Sequence, residues 1–175
     1  MELPGETFLF NLSLLAITFS AVSALVTLLR QTMGGRLSKF DVYLVNSYVQ
    51  QGFALAIAAI LPPIIAQFGL SPPVLWAIAS ALAVVVVGWR TAQSLWERMS
   101  IIKEPMPLAL KVSFGVNGLA VVLFLLNAAV PAIQGIAVFE LALTIGLANN
   151  MWSFGRRIST LLADRPGDDW DPKLG

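Results

Sequence analysis

Long apolar runs, separated by short polar or turn-forming segments, fill most of this chain. A helix needs about 20 mostly apolar residues to cross the hydrocarbon layer of a bilayer. Five runs meet that requirement, at residues 7–29, 42–68, 73–95, 108–129 and 132–155. Glycine and proline lie between the second and third runs and between the fourth and fifth, as tight helix–helix turns require. The pattern predicts an all-α integral membrane protein, a bundle of about five transmembrane helices.

Composition supports a bilayer as the solvent. Of the 175 residues, 57% are hydrophobic and 12% are charged, whereas soluble domains are about half apolar and a quarter charged. A chain this short cannot hide that excess in a core of its own. Glu2 and Glu6 precede the first run and no basic residue does, so we expect a retained helix rather than a cleaved signal peptide.

The basic residues all fall on one side of the predicted membrane. They are Arg30, Arg36, Lys39, Arg90, Arg98, Lys103, Lys111, Arg156, Arg157, Arg165 and Lys173. Basic loops stay cytoplasmic, so we predict the N-terminus outside and the C-terminus inside. The predicted transmembrane domain covers residues 1–163, and the acidic, proline-bearing segment 164–175 is predicted to be a disordered cytoplasmic tail.

A shift of 66 residues overlays the second predicted hairpin on the first. The matching pairs are Ser47 with Ser113, Gln51 with Asn117, Gly52 with Gly118, Gly69 with Gly135, and Arg90 with Arg156. One interpretation is a tandem two-helix repeat, since parallel repeats build some transporters. The alternative is that any hairpin needs a turn glycine and an arginine at its inner end.

The segment 91–102, beyond the third run, has a helical pattern of its own. It places Leu95 and Met99 on one face and Glu97 and Arg98 on another. An amphipathic helix of this kind lies along a membrane surface with its apolar face inward. We therefore expect the third helix to continue along the inner surface.

Six amides lie in the inner third of the predicted spans: Asn46, Gln50, Gln51, Asn117, Asn149 and Asn150. An unpaired amide in hydrocarbon costs several kcal/mol, so each needs a partner. One alternative is interhelical hydrogen bonding, worth roughly 0.6–2 kcal/mol for each bond. The other is a hydrated vestibule that opens to the cytoplasm.

Glu140 places one carboxyl group in the apolar run FELALTI, about eight residues inside the outer boundary. The nearest base along its helix, Arg156, is sixteen residues away, or about 24 Å. Four states remain open: Glu140 is protonated, hydrated in a cavity, bound to a cation, or paired with a partner protein. An acid inside a membrane is a functional hypothesis by default, and Asn127 and Thr144 are its candidate neighbours in an ion or proton site or in a structural contact.

The chain has no Cys and no His, which excludes thiolate and imidazole chemistry. Since the spans hold one acid and no paired aspartates, we expect no enzyme, no catalytic residue, no metal site and no cofactor. Two functions remain: an oligomeric channel or transporter subunit for protons or cations, or a non-transporting accessory or scaffold subunit of a membrane complex. The expected partners are the lipid bilayer and either a second copy or another membrane protein, with no nucleic acid. The expected location is the bacterial plasma membrane.

Overall fold

The computed structural model describes residues 5–32, 39–101 and 105–163, and the predicted tail lies outside these ranges. The α-helices are α1 (Glu6–Thr32), α2 (Lys39–Ala66), α3 (Pro72–Ala83), α4 (Trp89–Ile101), α5 (Leu108–Ala129) and α6 (Ile136–Ala163). A π-helical segment, Val84–Gly88, joins α3 to α4 without a break. These ranges contain no strand, so the all-α class is confirmed.

Four helical stretches are long and apolar enough to cross a bilayer. They are Glu6–Leu29, Val42–Ala66, Pro72–Ser100 and Leu108–Ala129, close to the first four predicted spans. α6 has 28 residues but is not one of the four, because Glu140, Asn149 and Asn150 lower its mean hydropathy. The four stretches define a membrane protein, and a fifth crossing stays a prediction.

Close backbone approach fixes α1 against α2. A β-carbon on Gly52 of α2 would collide with Oγ of Ser20 and lie 3.2 Å from the carbonyl oxygen of Ala16. The Ser20 hydroxyl group also donates to the carbonyl oxygen of Val49 at 3.3 Å. Small residues let membrane helices pack this closely, and α2 in turn contacts α3, α4 and α6.

An aromatic core fills the bundle on the side of the α2–α3 and α5–α6 turns. Phe139 of α6 packs against Phe124 of α5 and Trp76 of α3, with ring centroids 5.2 Å and 5.6 Å apart. Leu55 and Leu143 belong to the same buried cluster. This core is apolar, so the polar side chains of the bundle lie mainly beyond it.

The α2–α3 turn and the α5–α6 turn are stabilised in different ways. Gly69 follows α2 with φ of +67°, a conformation that glycine adopts without a β-carbon clash. Pro72 and Pro73 then begin α3, where a missing N–H group leaves no helical bond unmade. In the α5–α6 turn the side chain of Asn127 accepts a hydrogen bond from the Gly135 N–H group at 2.8 Å.

The polar face of α4 lies inside the bundle, which the sequence pattern did not predict. Arg90, Ser94 and Arg98, at a spacing of four, are buried, whereas Trp96 and Met99 are 77% and 66% exposed. A helix of a membrane bundle turns its polar face to other helices and its apolar face to lipid, and α4 packs against α2 and α5. The position of this helix along the inner surface stays a prediction.

Candidate functional site

A cavity between α2, α4, α5 and α6 has a volume of about 40 Å³. It is lined by amide and hydroxyl side chains with a few apolar ones, and none of the described residues around it carries a formal charge. Four of the six predicted amides lie there: Gln51, Asn117, Asn149 and Asn150. The cavity is therefore polar and neutral.

Hydroxyl groups join α2 to α4 on one side of the cavity. Tyr43 donates to the carbonyl oxygen of Ser94 at 2.8 Å, and its hydroxyl group lies 3.1 Å from Oγ of Ser94. The Oγ atoms of Ser47 and Ser94 are 2.6 Å apart. Tyr43, Ser47 and Gln51 are spaced by four residues, which places them on one face of α2.

Amide groups join α6 to its neighbours on the other side. Asn149 donates to the carbonyl oxygen and to Oγ of Ser113, at 3.0 Å and 3.1 Å. The Oγ atoms of Ser113 and Ser153 lie 2.9 Å apart. Asn150 donates to the carbonyl oxygen of Tyr48 at 3.1 Å. Asn149 and Asn150 therefore hydrogen-bond α6 to α5 and α2.

Two amides line the cavity, and one buried atom of each has no hydrogen-bond partner among the described residues. Gln51 is only 5% exposed, and its Nε2 atom is buried with no hydrogen bond in the described part of the chain. Asn117 is half-buried, and its buried Oδ1 atom likewise lacks a partner there. Since α2 supplies one amide and α5 the other, the unpaired groups belong to the cavity and not to a single helix.

The other two predicted amides lie elsewhere. Nε2 of Gln50 donates to Oδ1 of Asn46 at 2.8 Å, and Asn46 is exposed. Each precedes a cavity residue by one position, Ser47 or Gln51, and one residue turns a helix by about 100°. The rotation puts this pair on the neighbouring face of α2, where Gln50 borders a groove with Phe53.

Glu140 lies on α6, on the opposite side of the apolar core from the cavity. Its side chain is half-buried, and its Oε1 atom is buried without a hydrogen-bond partner among the residues that the structure describes. Gly5, which precedes α1, packs so closely that a β-carbon there would collide with Oε1 of Glu140. The Thr144 hydroxyl group donates to the backbone carbonyl oxygen of Glu140 at 2.8 Å, and not to the carboxyl group.

Asn127, the other predicted neighbour of Glu140, hydrogen-bonds neighbouring segments of the bundle. It is completely buried. Its Nδ2 atom donates to Oγ of Ser80 at 2.8 Å, and its Oδ1 atom accepts from the Gly135 N–H group at 2.8 Å. Asn127 thus links α3, α5 and the start of α6, and neither Asn127 nor Thr144 hydrogen-bonds the Glu140 carboxyl group.

An apolar contact separates Glu140 from the cavity. Leu55 is buried one turn beyond Gln51 on α2. A β-carbon on Gly146 of α6 would lie 2.9 Å from Cδ2 of Leu55, so the leucine fills the space that the glycine leaves. Gly146 lies between Glu140 and Asn150, which are about 15 Å apart along the helix.

A buried ionic group at the same end as the cavity was not predicted from the sequence. Arg90 is 6% exposed, and its Nη1 atom lies 3.7 Å from Oε1 of Glu97. Nε2 of Gln93 donates to the same oxygen at 2.9 Å. The sequence feature that could have predicted this ionic group is the spacing of seven residues between Arg90 and Glu97. Seven residues make two helical turns, which brings both side chains to one face.

Comparison of the chain with protein-family models, curated proteins and solved structures gives no match. The fold and the site therefore define only a class of protein. It is an all-α membrane protein with a neutral polar cavity on one side of an apolar core and a partly buried acid on the other.

Proposed function

We propose that this protein is a subunit of a channel or transporter that moves protons or small cations across a membrane. In this proposal α6 also crosses the bilayer, which makes five spans. Its 28 residues extend about 42 Å, more than the roughly 30 Å of hydrocarbon. It follows α5 after a short turn and packs along it, which supports an antiparallel crossing.

The orientation belongs to the same proposal. The distribution of basic residues favours an outer N-terminus and a cytoplasmic C-terminus, which puts the cavity on the cytoplasmic side and Glu140 on the outer side. The tandem repeat of the α2–α3 and α5–α6 hairpins, the assembly of several copies around a pore, and a bacterial plasma membrane location are parts of the same hypothesis.

Glu140 is the observation that supports transport most directly. Buried polar atoms in proteins are nearly always hydrogen-bonded, yet Oε1 of Glu140 is buried without a bond among the described residues. A purely structural carboxyl group at this depth would be expected to have a donor. An unpaired carboxyl group is free to take up and release a proton or a cation, as intramembrane acids of transport proteins do.

Flux through liposomes tests this function. Purified protein is reconstituted, and the decay of an imposed pH or cation gradient is followed with a fluorescent dye. We expect the Glu140→Gln variant to reduce the flux at least tenfold, because the amide has no exchangeable acid proton. Glu6→Gln, the same substitution near the outer end of α1, is the matched control and should conduct like the wild type. Equal flux in the two variants, or none in any sample, would contradict the proposal.

An accessory or scaffold function is the competing hypothesis, favoured by the surface of α4. Trp89 and Trp96, which are 73% and 77% exposed, flank a groove that includes Gln93. In this hypothesis the groove contacts another membrane protein, and Glu140 pairs with a base of that protein. Stoichiometric co-purification of one membrane protein in mild detergent, lost in a Trp89→Ala/Trp96→Ala variant, would favour it over transport.

A further inference from the structure

The two unpaired amides of the cavity define what the cavity binds. Nε2 of Gln51 is a hydrogen-bond donor and Oδ1 of Asn117 is an acceptor, and both are buried without a partner among the described residues. A buried polar atom that is left unpaired destabilises the protein. An occupant that satisfies both must accept one hydrogen bond and donate another. Turning both amides exchanges the donor and the acceptor and leaves this requirement unchanged.

The size and charge of the cavity limit which molecules or ions can occupy it. A volume of about 40 Å³ admits about three water molecules. A metal cation meets no carboxylate in the described lining to offset its lost hydration. Rings of carbonyl oxygens do bind potassium ions in channels, but here the buried Gln51 donor would face the cation. An anion, in turn, has no proton to donate to Asn117.

We propose that the cavity is a binding site for a short chain of water molecules held between Gln51 and Asn117. Combined with the proposed function, on which this second step rests, the site makes the proton the transported species and excludes metal cations. The hydroxyl groups of Ser47, Ser94, Ser113 and Ser153 extend the chain, because a hydroxyl group both donates and accepts.

Proton movement along such a chain is balanced at every oxygen. A water oxygen accepts a proton from the side of the apolar core and releases a different proton to the next oxygen. The last oxygen releases a proton at the cytoplasmic end, and reorientation of the molecules restores the starting chain. A single positive charge crosses the cavity, and no residue of the lining changes its protonation state.

Radiolytic labelling tests the water site independently of transport. The full-length protein in lipid nanodiscs is exposed to an X-ray pulse in ¹⁸O-water, so that radicals formed from bound water label adjacent side chains. We expect label on Tyr48 and Phe114, which line the cavity, and none on Phe124 and Phe139, which are 0% exposed in the apolar core. Unlabelled Tyr48 and Phe114 in the wild type would overturn the water site, whatever the variants do.

Variants locate the water within the cavity. Gln51→Leu and Asn117→Leu should each lower the labelling of Phe114 at least threefold, because the water loses an anchor. Gln50→Leu, a neighbouring glutamine outside the cavity, should leave the labelling unchanged. Equal labelling in Gln51→Leu and Gln50→Leu would show that Gln51 holds no water.

Flux selectivity tests the second step. Wild-type liposomes should dissipate a pH gradient but retain sodium and potassium ions, and Gln51→Leu should lower the proton flux at least tenfold relative to Gln50→Leu. Glu140-dependent flux of sodium or potassium ions would overturn proton selectivity while leaving the proposed function intact. Absence of any Glu140-dependent flux would overturn the proposed function, and the labelling result would still decide the water site.

Discussion

Replacing Asn127 by leucine removes a polar link between three helices without opening a large cavity. Asn127 is completely buried, and leucine has a similar size. The substitution deletes the 2.8 Å bonds to the Ser80 hydroxyl group and the Gly135 N–H group. Because the side-chain volume is nearly kept, the loss should come mainly from hydrogen bonding.

The expected loss follows from the two bonds. Hydrogen bonds between membrane helices contribute about 0.6–1.7 kcal/mol each, so the pair contributes about 1–3 kcal/mol. The Ser80 hydroxyl group has a substitute, because serine in a helix bonds to the carbonyl oxygen one turn earlier. The Gly135 N–H group lies in the turn and has no such substitute, which adds part of the cost of an unpaired donor. We expect a total decrease of about 2–4 kcal/mol in the free energy of unfolding.

Reversible unfolding in mixed detergent micelles measures this difference. Asn46→Leu is the matched control, because Asn46 is exposed and, among the described residues, bonds only to Gln50 on its own helix; its loss should stay below about 0.5 kcal/mol. A double-mutant cycle with Ser80→Ala should give a coupling energy of about 0.6–1.7 kcal/mol for that bond. Equal losses in Asn127→Leu and Asn46→Leu, or a coupling energy near zero, would refute the reasoning.

Two further substitutions test the packing and the barrier. Gly52→Val should lower the free energy of unfolding by about 1–3 kcal/mol, because the new side chain collides with α1; Gly118→Val, where the space around the position is open, should have almost no effect in the same unfolding assay. Leu55→Ala should lower stability by about 2–5 kcal/mol and raise proton flux in liposomes, because it opens the contact between Glu140 and the cavity. Leu75→Ala removes an equally buried leucine away from that contact and should lower stability alone; equal flux in the two variants would show that Leu55 is not a barrier.

The helices and their approximate ends could be predicted from the sequence because a bilayer imposes one simple requirement. A spanning helix must satisfy all its backbone groups internally over about 20 apolar residues, and that length is visible in the chain. The first four predicted spans match the apolar helical stretches of the structure within a few residues. The same rule does not decide whether the predicted span at 132–155 crosses the bilayer, because its polar residues lower the mean hydropathy by which a span is recognised.

Contacts between helices could not be predicted in the same way. Six amides at one depth were compatible with interhelical bonding and with a vestibule; the structure contains interhelical bonds, and the vestibule stays a prediction. Asn149 bonds to Ser113, whereas Gln51 faces the cavity. The outcome depends on which faces of α2, α5 and α6 meet, and one amide side chain gives no information about the helix opposite.

The burial of Arg90 shows that the pattern of polar residues along a membrane helix can be interpreted only when the neighbouring helices are known. Its guanidinium group lies inside the bundle with a carboxylate of its own helix at 3.7 Å. A buried charge is tolerated only near an opposite charge or a cluster of dipoles, and the Tyr43 hydroxyl group is close enough to interact with Arg90, Glu97 and Arg98. The charged side chains of α4 therefore act electrostatically on a hydroxyl group that also lines the neutral cavity.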